Sequence, residues 1–351
     1  MGTDTGRERP ATLEDIAREA GVALSTASRV LERARTGGRV DTPKAIRVLE
    51  VAADLEYEPN LFAASLRTNR TYTLGVLVPR LTDIVLSTIY EGIDAGAADA
   101  GYQSVVANTM DDPRQQRLRA EKLLQRGVDA LLFGDAQLDD PFLDELAARG
   151  VPFALFSRRH PRYPSATCDD YEGGRLAGNH LADLGHRDVA VLAGRPYAST
   201  GVDRTAGCLD ALRERGITVA AHRIVHSGFD PEAGYVAARA MFAAGDGPTA
   251  VFVVNDMAAI GAMGALRDLG VAVGREVAVV GFNDISIAAD VSPALTSIVS
   301  PLDTMGREAV RLVLDRVKAP GSPAARVLLP PRLVVRESSD PSAGTRRHPE
   351  R

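Results

Sequence analysis

Apolar positions change their spacing along the chain. Between residues 11 and 57 they recur at helical intervals. Leu13, Ile16, Ala17 and Ala20 fall at i, i+3, i+4 and i+7, one face of a helix, with Thr12 as N-cap and Asp15 as its capping-box partner. Ala27, Val30 and Leu31 make a second face. Ala45, Val48, Leu49, Ala52 and Leu55 make a third, on a helix beginning at Asp41 as N-cap with Pro43 in its first turn. Gly21 separates the first two helices. The stretch "AGVALSTASRVLE" therefore reads as the turn and second helix of a helix-turn-helix, with Ala23 where a Ser or Asp cap would serve better. Pro59 ends this unit, and "NLFAASLRTNRTY" links it to the remainder.

From Thr73 the texture becomes short continuous apolar runs alternating with amphipathic segments. "TLGVLVP", "QSVVAN", "VDALLFG", "PFALFS", "DVAVLAG", "TAVFVVN" and "EVAVVGF" predict strands buried on both faces. Residues 86–100, 113–126, 171–185, 203–215, 230–244 and 256–269 predict the helices between them. So much alternating sequence suits two parallel, doubly wound sheets better than one. The expected break lies near Tyr163–Thr167, and "PALTSIVSPLDTMGREAVRLVLDRV" is a late return to the first lobe. The expected limits are 73–165 with 296–327 for lobe 1 and 166–295 with 328–337 for lobe 2. Residues 1–10 and 338–351 read as disordered ends. Open parallel sheets bind ligands at the carboxyl ends of their strands, so residues just after each strand are the candidates for chemistry.

Composition narrows the function. The 351 residues carry a formal charge of −5, so any DNA-binding surface must be local. Residues 1–70 hold 11 Lys/Arg against 11 Asp/Glu. The only cysteines, Cys168 and Cys208, have no metal-binding spacing and read as reduced thiols. No P-loop, G-x-S-x-G elbow or G-x-G-x-x-G after a strand argues for catalysis, and His186 in "LGHRD" suits the capping of a helix end. No apolar run is long enough to span a membrane and the N-terminus lacks an apolar signal core, so a cytoplasmic location is expected.

"TLEDIAREAGVALSTASRVL", "VLEVAADLEYEPNLFAASLRTNRTYTLGVLVP", "LADLGHRDVAVLAG", "VVNDMAAIGAMGAL" and "VAVVGFNDI", in that order, resemble the lactose/galactose-repressor (LacI/GalR) family of bacterial transcription regulators. The resemblance spans about residues 11–337. It implies an all-α helix-turn-helix head at residues 11–58, a hinge helix within 59–72, and an α/β two-lobed core at 73–337 like a periplasmic binding protein. It implies a homodimer on palindromic operator DNA, controlled by a small molecule and needing no cofactor or metal. The implied DNA-binding residues are Thr12, Leu24, Ser25, Thr26, Ser28 and Arg29 in the head. Leu24, Ser25 and Arg29 face the bases, only Arg29 able to fork onto guanine, while Thr26 and Ser28 suit phosphates. Asn60, Ala63, Leu66 and Arg67 belong to the hinge, with Leu66 as a minor-groove wedge.

The implied effector-binding residues are Thr200, Arg204, Phe229, Asn255 and Asn283; either asparagine could instead tie down its own turn. Departures from the family concentrate in the first lobe. Asp83-Ile84-Val85-Leu86 replaces an aromatic run, and Ser157 stands where Asp is common. A carbohydrate or polyol is the expected effector class, with a nucleoside, an acidic metabolite or a protein co-repressor as alternatives.

Overall fold

The computed structural model describes residues 11–35, 39–55, 57, 70–321 and 324–343. Two compact units divide it, Met1–Thr71 and Tyr72–Arg351.

The first unit contains α1 (Leu13–Glu19), α2 (Leu24–Arg35) and α3 (Pro43–Asp54). Ile16, Ala27, Val48 and Val51 are its most buried side chains, with Leu13, Val30, Leu31 and Leu55 packed around them. Gly21, at φ +65°, makes the left-handed turn between α1 and α2. Caps distinguish the three helices. Thr12 and Asp15 form the complete capping box on α1. Thr42, rather than the expected Asp41, caps α3 by accepting from the Ala45 amide at 3.3 Å. The residue before an N1 proline is the N-cap, and Pro43 sets that register. Asp41 pairs instead with Arg39 at 2.6 Å. Before α2 stands Ala23, which has no side-chain oxygen to offer its amides; only its backbone carbonyl takes part, accepting from the Thr26 and Ala27 amides.

The second unit runs β1 (Thr73–Val78), α4 (Ile84–Asp99), β2 (Gln103–Asn108), α5 (Pro113–Gln125), β3 (Ala130–Phe133), α6 (Pro141–Ala148), β4 (Phe153–Phe156) and β5 (Ser165–Cys168). It continues α7 (Asp170–Asp183), β6 (Val189–Ala193), α8 (Ser199–Glu214), β7 (Ile224–His226), α9 (Pro231–Phe242), β8 (Ala250–Val253), α10 (Asp256–Asp268), β9 (Ala278–Asn283) and β10 (Thr296–Val299). It ends with α11 (Leu302–Lys318), β11 (Arg326–Leu329) and β12 (Arg332–Val334). The strands form two six-stranded sheets, ordered β11-β5-β4-β3-β1-β2 and β12-β10-β9-β8-β6-β7. All seven runs read as strands are strands. β3, β4, β6, β8 and β9 are buried along their length, as central parallel strands covered by helices must be.

Three differences from expectation follow from how the chain passes between the sheets. β5 pairs with β4 and β11, so the first sheet extends to Cys168. β10 pairs with β9, so it belongs to the second sheet, and the return to the first lobe begins with α11. β12 runs antiparallel to β10. The chain leaves the first sheet at the carboxyl end of β11, takes only Pro330 and Pro331 to cross, and enters the second sheet against its strand direction. α11 lies against α4 at very close range: a Cβ on Gly92 would meet the Asp303 carbonyl oxygen at 2.3 Å, and one on Gly306 would meet that of Ile89 at 2.3 Å.

The expected disordered tail is also corrected at its start. Ser338 and Ser339 are buried. The Val279 amide donates to the Ser338 carbonyl (2.8 Å), the Ser338 hydroxyl donates to the Val279 carbonyl (2.6 Å), and the Thr296 amide donates to the Ser338 Oγ (2.8 Å). Ser338 satisfies backbone groups of β9 and β10, and the Ser339 hydroxyl meets the Thr296 hydroxyl (2.7 Å) and His180 Nε2 (2.8 Å), uses of polar residues that composition does not reveal. Among the described residues, no helix is long and apolar enough to cross a membrane.

Candidate functional site

A cavity of about 610 Å³ opens between the carboxyl ends of the two sheets. Thr200, Arg204, Phe229, Asn255 and Asn283 all line it, although they come from four separate segments. The fold brings them together because Phe229, Asn255 and Asn283 lie at or just beyond the ends of β7, β8 and β9, while Thr200 and Arg204 lie on α8, the helix that follows β6.

Arg204, on α8, is buried at 5% exposure. Its Nε donates to Asp170 (2.7 Å), its Nη1 donates to the Val254 carbonyl (2.8 Å), and its guanidinium lies 3.8 Å from the centre of the Phe282 ring. The remaining Nη2 has no partner among the described residues. Burial pushes Asp170 up to about 6, against the pull of Arg204.

Asn255 resolves the two readings of its side chain toward the turn. Its Oδ1 accepts from the Ala258 amide (3.0 Å), capping α10, and its Nδ2 donates to the Phe229 carbonyl (2.7 Å). Asn283 differs. It has left-handed backbone at φ +106° and is 3% exposed, and its Oδ1 has no hydrogen-bond partner. The loop that follows it is held from behind by the buried Asp256, which accepts from the Ser297 hydroxyl (2.6 Å) and the Ile285 amide (2.9 Å). Burial pushes Asp256 up to about 7. Phe229 is half-buried; its ring lies over Gly194, where a Cβ would meet it at 2.6 Å. Thr200 sits buried in the first turn of α8.

The first-lobe wall is less apolar than the sequence implied. Val85 and Leu86 line it, and Asp83 caps α4 through the Val85 amide, its carboxyl raised above the usual range by burial. Carboxylates missing from the expected positions come from Asp111 and Asp83, and from Asp230 and Glu232 opposite. Arg158 is buried and donates through both terminal nitrogens to Asp111, at 2.7 and 3.0 Å. The Tyr197 hydroxyl reaches across from the second lobe to Asp111 at 2.9 Å. Beside this contact Arg159 pairs with Asp203 at 2.7 and 2.6 Å, and its amide donates to the Ser199 hydroxyl at 2.8 Å.

Asp111, Arg158 and Tyr197 were not among the sequence candidates. Two consecutive arginines directly after a strand, "FSRRH", were the available signal. His186 holds the Thr249 hydroxyl at 3.0 Å instead of capping carbonyls, and is away from the cavity. Cys168 and Cys208 are buried free thiols, Cys168 pushed up to about 12 by burial.

In the first unit, Leu24, Ser25 and Arg29 are exposed on α2. The Arg29 Nε donates to the Ser25 carbonyl (3.2 Å), leaving its terminal nitrogens as an open fork. Thr26 and Arg29 line a groove shared with Arg33, Arg39 and Thr42. Two expected DNA contacts are differently placed. Ser28 is 7% exposed, since it follows Ala27 on the side of α2 turned to the three-helix core. The Thr12 side chain is engaged in its capping box, its hydroxyl 2.6 Å from Asp15. Asn60, Ala63, Leu66 and Arg67 lie outside the described residues.

Comparison with known proteins agrees with both units. The pattern of "Bacterial regulatory proteins, lacI family" matches residues 12–60, and that of "Periplasmic binding protein-like domain" matches residues 179–339. The HTH-type transcriptional repressor PurR of Klebsiella pneumoniae is 31% identical over 332 residues, 93% of this chain and 96% of that protein. Its counterpart from Pectobacterium carotovorum is 32% identical over the same span. Among solved structures, a lac repressor dimer bound to operator and the anti-inducer ONPF is similar at a TM-score of 0.80 and 27% identity, covering 95% of this chain and all of that one. A transcriptional regulator CelR–cellobiose complex is similar at 0.72 and 29%, covering 93% and 99%. The chain belongs to the LacI family, as a DNA-binding transcriptional repressor with a helix-turn-helix head and an effector-binding core of periplasmic-binding-protein type.

Proposed function

We propose that the protein acts as a homodimer on a two-fold symmetric operator, and that a small neutral sugar or polyol in the cavity sets its affinity for DNA. The observation carrying this reading is the convergence of five side chains from four separate segments on one cavity. The cavity offers both a free donor, Arg204 Nη2, and a buried unpartnered acceptor, Asn283 Oδ1. A hydroxyl group can satisfy either, which a polyol does repeatedly. The CelR neighbour, solved with cellobiose, supports the same class. A nucleobase is the second reading, carried by the rings of Phe229 and Tyr197 on the cavity wall.

At the DNA, α2 enters the major groove and Arg29 forks onto a guanine, with Leu24 and Ser25 reading neighbouring positions. Ser25 and Leu24 discriminate less. The hinge assignments rest on family resemblance: Asn60 and Ala63 on a DNA-ordered helix, Leu66 wedged into the central minor-groove step, Arg67 on phosphate. Effector and DNA binding are linked reciprocally, so an inducer that weakens operator binding binds more weakly to the DNA complex.

A melting-temperature screen of the full chain against sugars, polyols and nucleosides tests the effector class, because a ligand of the folded state raises it. A shift with nucleosides alone would replace the first reading by the second. The hit must then change operator affinity in a titration; an unchanged affinity would refute effector control by that site.

A further inference from the structure

The contact between Asp111, Arg158 and Tyr197 does more than close one side of the cavity. Arg158 is a buried cation on the cavity wall, and a buried charge needs a partner. Asp111 supplies it with a two-pronged pair. The other contact of Arg158 is the Asp135 main-chain carbonyl at 3.4 Å. The nearby Asp135 carboxyl is spoken for by the Thr109 hydroxyl (2.6 Å) and the Gln116 amide (3.2 Å).

The pair is held by unusual backbone. Met110 and Asp111 both have φ +57°, and Ser157, directly before Arg158, has φ +62°. None is glycine, so each position carries a steric cost that the surrounding fold maintains. All three line the cavity. Tyr197 fixes the second oxygen of Asp111 from the opposite lobe, and its ring lies 5.8 Å from the Arg158 guanidinium.

We propose that Asp111 sets the charge class of the effector: by occupying both terminal nitrogens of Arg158 it cancels the buried positive charge on the first-lobe wall, so that the cavity admits a neutral polyhydroxylated molecule and turns away the matching acid. The inference rests on the reading of this cavity as the effector site. Without Asp111, Arg158 would face the cavity as a bare, poorly hydrated guanidinium, the group best suited to a carboxylate or phosphate. A purely structural ion pair would alter stability on removal and leave ligand charge preference untouched.

The test uses the full chain, wild type and Asp111→Asn. The asparagine keeps the shape and an acceptor for Tyr197 and removes the charge. The first probe is inorganic phosphate at constant ionic strength, read by melting temperature. The variant is expected to bind phosphate about tenfold or more tighter than wild type, the scale of one close charge in a buried site. Combining Asp111→Asn with Arg158→Gln is expected to abolish that gain. The second probe is a set of neutral hexoses and pentoses beside their uronates and aldonates, where wild type is expected to prefer the neutral member and Asp111→Asn the acid. Equal phosphate binding by both proteins overturns the proposal whatever the sugars do. If phosphate discriminates but no sugar, polyol or acid shifts either protein, the charge assignment stands and the polyol reading of the cavity fails. Should Asp111→Asn not fold, Arg158→Gln decides by the reverse sign: the bare Asp111 should bind glucosamine about tenfold better than wild type does, and no gain overturns the proposal.

Discussion

The two lobes solve one problem differently. Each brings a buried arginine to the cavity, and each neutralises it with an aspartate. In the second lobe, Arg204 meets Asp170 where both are almost fully buried, and the guanidinium is also held by a carbonyl and an aromatic face. In the first lobe, Asp111 keeps a fifth of its side chain exposed and depends on left-handed backbone and a tyrosine from across the cleft. The second-lobe pair is part of a core; the first-lobe pair exists at a surface between two bodies. Rigid placement therefore belongs to the second lobe, and adjustable charge to the first.

Removing the two arginines should separate these roles. Arg204→Met leaves Asp170 buried and unpaired and should cost about 3–5 kcal/mol of core stability, measured by urea unfolding at neutral pH. Arg158→Met should cost clearly less, because water can reach Asp111. Equal losses would erase the distinction between the lobes.

The pH profile offers the next largest effect. Asp170 and Asp135, each pushed up to about 6, and Asp256, pushed up to about 7, all have folded values above their unfolded ones. Such carboxyls favour the folded state in protonated form, so their contribution is full below about pH 4 and is lost as pH rises through 6 to 7. Unfolding free energy should fall across that window, by up to a few kcal/mol for Asp256. Asp256→Asn should flatten the slope more than Asp135→Asn does. A slope unchanged in both variants would contradict the assignment.

Asn283→Gly is a smaller perturbation. It removes the strain of φ +106° together with a carbonyl oxygen that has no partner, so stability should hold or rise by up to about 1 kcal/mol. The ligand-induced rise in melting temperature should disappear. A loss of stability with ligand response intact would make Asn283 structural, as Asn255 largely is.

The smallest expected effect lies in the head. Ala23→Ser gives α2 the cap that α1 and α3 already have, worth about 0.5–1 kcal/mol. Melting of the head, followed separately from the core, should move upward; no change would remove the missing-cap reading.

How much was legible in the sequence follows from where each signal resides. Continuous apolar runs specify strands, and all seven are readable, although β2, expected to be buried on both faces, lies at the edge of its sheet and is partly exposed. β5, β7, β11 and β12 have three or four residues each, and they are strands because a neighbour offers a pairing edge, which no local pattern encodes. Asn255 and Asn283 were readable because motif and strand end coincide, and Arg204 through its motif alone. Asp111 and Arg158 are 47 residues apart, and only the folded sheet order places them together. Ser28 shows the limit of reading a site from residue type and motif: a polar residue expected on phosphate stands one step from a core position, and the small core of the head draws it in.

The last strands have a consequence for how the chain is made. β11 closes one edge of the first sheet and β12 one edge of the second, and both lie within the nine residues Arg326–Val334. Neither sheet can be completed on the ribosome until that stretch, the last to join either sheet, has emerged. Until then two apolar sheets each carry a bare edge, the configuration most exposed to aggregation.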